Sequence, residues 1–172
     1  MTAAVTAQPP VPDAFVGAWE RVGLSIDGGP LEETADVLWL QSPHWFADLR
    51  TDRATGQVTA CFAGITTWTP PTLRWNRHID LVEVDHDDVG HIEWDGDDLV
   101  ESGVFPFPGT DGPATYLERW RRLPDDRPVR AMAEPGRVFV QAGVHALEVV
   151  SIGGTVEGRR RELTSRGWVA SS

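Results

Sequence analysis

Read at every second residue, the chain has three apolar rows that are each broken by one glutamate. Glu101 breaks Leu99, Glu101, Gly103, Phe105. Glu118 breaks Tyr116, Glu118, Trp120. Glu148 breaks the row from Val140 to Ile152, provided that no bulge falls at Gly143. Arg77 interrupts a fourth row, Trp75, Arg77, Ile79, Leu81. Alternate residues of a strand share a face, so if these rows face the interior their charges must pair or shift their pKa values. A desolvated carboxyl, its pKa raised, suits general acid–base chemistry near neutrality. Glu101 and Glu118 are therefore expected as acid/base groups, with Arg77 as the anchor for an anion or carbonyl. Tyr116 is expected to hydrogen-bond the ligand, Trp39, Trp68, Trp75 and Trp120 to wall the pocket, and Glu148 to join it. The competing expectation is an internal Arg–Glu bridge with no chemistry.

Other chemistries find less support. All fifteen basic residues are arginine, which excludes lysine Schiff bases, lysine general bases and a phosphate-loop lysine. The chain contains no Gly-x-Ser-x-Gly, Gly-x-Gly-x-x-Gly or P-loop pattern. Glu83, His86 and His91 surround an acidic turn, and their spacing suits a zinc helix that this stretch does not form, so no metal is expected. His78 and Asp80 become a candidate dyad only if the faces of their strand are reversed. No cofactor is expected; haem through the isolated His145 is the alternative. Cys61 is alone, lies in an apolar run and reads as a buried inert thiol. A net charge of −11 argues against nucleic acid or an anionic membrane as partner.

The elements that must position these groups are short. Turn signals recur mostly every 8 to 16 residues, with β-branched and aromatic segments between them. Asp95-Gly96 reads as a hairpin turn and Glu134-Pro135-Gly136-Arg137 as a type II turn, because glycine accepts the positive φ that both require. The segment 114–123 reads as a strand rather than a helix. About ten antiparallel strands must form a sandwich or close into a barrel. Eight tryptophans, nearly one per strand, favour a barrel with a Trp-rich interior, although the indoles could equally fill a solid core. The expected fold is all-β: one antiparallel barrel of about 8–10 strands over residues 14–163. Residues 1–13 form a disordered lead and 164–172 a tail. No apolar run reaches membrane-spanning length, and the composition suggests a bacterial, cytoplasmic protein.

Near the start stands Gly17-Ala18-Trp19. Together with the strand layout over 15–163 it resembles the opening signature of the calycin superfamily, which includes the lipocalins. The resemblance implies a barrel whose base is closed by Trp19, with an arginine, here Arg159, Arg160 or Arg161, packed across its ring. It also implies a cavity for a small, largely apolar ligand. The expected function is binding of a small apolar or aromatic metabolite for cofactor-independent acid–base chemistry of isomerase, cyclase or lyase type. A non-catalytic carrier and a protein-interaction module with an acidic surface are the alternatives, and a homodimer is compatible with each.

Overall fold

The computed structural model describes residues 8–107 and 109–171. Eight strands form a closed antiparallel barrel: β1 (Gly17–Ile26), β2 (Ala35–Gln41), β3 (Trp45–Asp52), β4 (Val58–Thr69), β5 (Thr72–Asp80), β6 (Val89–Asp95), β7 (Asp98–Phe105) and β8 (Ala114–Leu123), with β8 pairing back onto β1. Five more strands, β9 (Arg130–Glu134), β10 (Arg137–Ala142), β11 (His145–Ile152), β12 (Thr155–Thr164) and β13 (Gly167–Ala170), build a separate sheet in the order β13-β12-β11-β10-β9. Both predicted glycine turns are present: Gly96 joins β6 to β7 with φ 64°, and Gly136 joins β9 to β10 with φ 75°.

The second sheet explains a feature of β2–β4 that simple alternation does not. Four or five consecutive residues of each of these strands are buried. One face lines the barrel, and the other packs Leu38, Leu40, Ala47 and Cys61 against Val138, Val140, Leu147 and Val149 of the second sheet. A sheet covered on both faces loses its polar row. Gly158 of β12 makes this contact close, since a Cβ there would stand 2.5 Å from the Cys61 sulfur. Cys61 is fully buried as expected, and burial pushes its thiol pKa up to about 12.

The domain limits differ from the sequence expectation. The barrel closes at Leu123, because β8 satisfies β1 and leaves no open edge for later strands. Trp168 belongs to β13, paired with Leu163, rather than to a loose tail. Within the expected lead, Val11 is buried, its N–H donating to the Pro43 carbonyl, and a short 3-10 helix follows at Asp13–Phe15. Residues 1–7 of that lead lie outside the described residues, as do Pro108 and Ser172. Among the described residues no helix is long and apolar enough to cross a membrane.

Candidate functional site

The 3-10 helix marks the lower end of the barrel, where Phe15, Trp19, Val37, Phe46, Leu73 and Leu99 fill the bore. Trp19 donates its indole N–H to the Phe15 carbonyl at 2.9 Å. The Arg122 guanidinium lies over the Trp19 ring, 4.3 Å from its centroid, and donates to the carbonyls of Val16 and Ala14. The arginine across the tryptophan is thus Arg122, from the last barrel strand, and not one of Arg159–Arg161, which belong to the second sheet. Gly17 permits this contact: its φ is +143°, and a Cβ would stand 2.6 Å from Arg122 Nη1.

Above Trp39 the bore becomes polar. Arg21 donates from Nη1 to Glu118 Oε1 at 2.6 Å and from Nε to Glu33 Oε2 at 2.7 Å. Arg50 donates from Nε to Asp48 Oδ1 at 2.9 Å and stands 3.8 Å from Glu118. Arg77 donates from Nε and Nη2 to Asp88 Oδ2 at 2.9 and 2.7 Å, and from Nη1 to Asp80 at 2.9 Å. The Phe62 ring carries two of these cations, with Arg77 at 3.6 Å and Arg50 at 5.3 Å from its centroid. Burial pulls the Arg50 pKa down, but Asp48 and Glu118 more than offset it, so Arg50 stays charged.

Glu101 is the exception. It is 4 % exposed and forms no ion pair among the described residues. Its carboxyl accepts from the Tyr116 hydroxyl at 2.7 Å and from the Trp120 indole N–H at 3.2 Å. Burial, then the charges of Glu118 and Asp88, push its pKa well above the ordinary carboxylate range. Tyr116 lies 3.4 Å from the Val89 carbonyl, so with Glu101 protonated the proton chain can run Glu101 to Tyr116 to Val89. Two glycines make room for the pair. A Cβ on Gly90 would stand 2.5 Å from Glu101 Cγ, and one on Gly103 would stand 2.9 Å from the Tyr116 ring.

Two small cavities meet at Glu101. One, about 20 Å³, is bounded by Trp39, Trp75, Trp120, Phe62 and Asp88. The other, about 40 Å³, is bounded by Arg50, Arg77, Tyr116 and Glu118, with Phe105 and Phe107 above. His86 packs edge-on against Phe105, ring centroids 4.4 Å apart, and continues this aromatic cap. Benzene occupies a cavity of roughly 150 Å³ in another protein, so the expected room for an aromatic metabolite is absent. The space suits a group of a few heavy atoms. A larger groove, about 1020 Å³, runs between the barrel and the second sheet. Of its titratable side chains, His78, Glu83 and Glu134 are solvent-exposed and Asp80 is held by Arg77.

The structure gathers Glu101, Glu118, Arg77, Tyr116, Trp39, Trp75 and Trp120 around this chamber. Arg77 differs from its expected role: Asp80 and Asp88 take up its donors, and it is no free anion anchor. Trp68 packs on Phe15 at the lower end, 4.9 Å between centroids, away from the charges. Glu148 lies on the second sheet, paired with Arg137 at 2.6 Å and Arg159 at 3.3 Å. The row that suggested it is broken by the turn at Gly143, φ 61°, which separates β10 from β11. His145 also stands on β11, where burial and Arg160 lower its pKa, and it reaches neither cavity. His78 and Asp80 do not form a dyad. The β4–β5 register shift makes His78 a bulge, turning His78 outward against Trp45 and Asp80 inward to Arg77.

Arg21, Asp48, Arg50 and Asp88 were missed. Arg21 shared a row with Trp19 and could have been found by that alternation. Asp48 and Arg50 sit in a strand buried on both faces, where alternation is silent. Asp88 stands among the acidic turn residues before β6, where composition alone gives it no separate signal.

A closed eight-stranded barrel with a solid aromatic base and a charged upper chamber defines the structural class. The chain belongs to the family described as Protein HRI1, whose model matches residues 18–169. Its fold is similar to the crystal structure of the uncharacterised protein YLR301w from Saccharomyces cerevisiae, with a TM-score of 0.66 and 14% identity over 90% of this chain and 83% of that one. At that identity the likeness shows the fold alone. No curated protein matches the sequence.

Proposed function

We propose that the barrel binds a small molecule in the chamber at Glu101 and exchanges a proton with it, as a cofactor-independent enzyme of isomerase, cyclase or lyase type. The observation that carries this reading is a buried carboxyl without a cationic partner, on a cavity wall, with a phenol hydrogen-bonded to it. Leaving a carboxyl unpaired in such a place costs stability, of the order of several kcal/mol if it ionises. Functional sites retain groups of this kind. The β5–β6 wall beside the chamber is joined by the residue pairs 72–74 with 89–91. Above them the wall is held by the Arg77–Asp88 pair and the Trp75 N–H donating to the Asp88 carbonyl. The calycin resemblance supports the reading through Gly17, Trp19 and the guanidinium over its indole.

A carrier is the second reading, favoured by the pairing of the chamber's other charges. Native mass spectrometry of the purified chain, followed by incubation of the released molecule with fresh protein, tests both. The enzyme reading expects a bound mass that the wild type converts and that Glu101→Gln, folded alike by circular dichroism, binds unchanged. Binding without conversion in the wild type selects the carrier, and the absence of any bound mass counts against both.

A further inference from the structure

Resting on the chamber proposed above, we infer that the group it receives is the primary ammonium head of a small amine. The first argument is charge. Asp48, Asp88, Glu101 and Glu118 border the two cavities, against Arg50 and Arg77 alone. Both guanidiniums are already engaged by carboxylates. No cation is free for an anion, and Asp48, Asp88 and Glu118 are likewise engaged by Arg50, Arg77 and Arg21. Among the described residues Glu101 alone on this wall has no cationic partner, and an ammonium head supplies one.

The second argument is ring geometry. Trp39 stands edge-on to Trp75, 5.6 Å between centroids at 74°, and edge-on to Trp120, 5.5 Å at 72°. All three indoles line the smaller cavity beside the Glu101 carboxyl, and an indole ring attracts an ammonium ion. Among the described residues no cation lies over any of these three rings; Arg50 and Arg77 both use Phe62. These indoles are therefore unspent on internal cation–π contacts, unlike Trp19 under Arg122.

The third argument is size. The space beside the indoles is about 20 Å³, which suits a head comparable with one water and is too small for a quaternary ammonium group. An –NH₃⁺ head also brings three donors, which match the carboxyl oxygens on the wall. Its charge favours the ionised form of Glu101. The groups facing that carboxyl are Tyr116, Glu118 and Trp120 of β8, Gly90 and Ile92 of β6, Asp88 before β6, and Arg50 of β3. Glu118 and Asp88 oppose ionisation and Arg50 assists it. Binding then proceeds as R–NH₃⁺ plus neutral Glu101, giving the ammonium–carboxylate pair and one proton released to solvent.

Isothermal titration of the full chain with methylammonium chloride, methanol, sodium acetate and tetramethylammonium chloride tests the inference at constant ionic strength. Repeating it in buffers of different ionisation enthalpy counts protons. The expected result is saturable methylammonium binding, at least about tenfold tighter than the other three probes (~1.4 kcal/mol), with about one proton released. In Glu101→Gln, affinity should fall by about tenfold or more and the proton release should vanish. Equal binding of methanol, acetate or tetramethylammonium would overturn the ammonium assignment while leaving the small-molecule chamber standing. No binding by any of the four likewise overturns the ammonium assignment, while the chamber itself stands or falls with the bound mass sought above.

Discussion

Glu101 has a pKa raised by burial and by its acidic neighbours, and this sets a pH dependence for stability. The unfolded chain releases this proton near pH 4.3, the ordinary glutamate value, roughly. The folded chain holds it to higher pH. Between those points the native state binds more protons, so stability falls as pH rises, by at most about 1.4 kcal/mol per unit from this group. Glutamine mimics the protonated carboxyl, with an oxygen for Trp120 and an amide for Tyr116. Glu101→Gln should therefore gain on the wild type as pH rises above the ordinary glutamate range, and lose that advantage near pH 4 (roughly where the unfolded carboxyl is protonated too). Urea melts at three pH values measure this; a constant difference would mean that Glu101 titrates normally. At the same scale, the residues that alternation identified and the residues it missed differ in one respect. Glu101, Glu118 and Tyr116 stand on β7 and β8, where only one face is core, so their rows are clean. Asp48 and Arg50 stand on β3, covered on both faces.

Elements decide how these side chains are held. The contact of β12 with β3 and β4 rests on Gly158, where a Cβ would lie 2.5 Å from Cys61 Sγ and 2.8 Å from Leu49 Cδ1. Gly158→Val should force the second sheet off the barrel wall and cost about 1–3 kcal/mol, the usual range for overpacking. Native Cys61 should then react with a thiol reagent faster than in the wild type; unchanged protection would show that the sheets yield without parting. The β-bulge at His78 is the other decisive element. It ends the row Trp75, Arg77 before Ile79, sends Ile79 to the outer core and brings Asp80 to Arg77. A bulge is a local mismatch between two paired strands, and the sequence of one strand does not mark it.

At the scale of the whole molecule, the barrel and the second sheet share a core of Leu38, Leu40, Val140 and Leu147, among others. They should melt together. Leu147→Ala, in the second sheet, should cost about 2–5 kcal/mol and lower the transition seen by barrel tryptophan fluorescence as much as that seen by calorimetry. Two separate transitions would show that the halves fold independently.

The amino-acid sequence by itself determined the strands, their glycine turns, the Trp-rich all-β fold and the inward row of Tyr116, Glu118 and Trp120. Those features follow from period-two alternation and from backbone preferences, which are local and can be read along the chain. Only the tertiary structure decided where the barrel closes, that Glu148 lies outside it, that Arg122 rather than a later arginine covers Trp19, and that Arg77 is already paired. It also decided how little space the indoles leave. Closure, bulges and cavity volume depend on which distant strands pair and in what register, and that information lies between segments, not within any one of them.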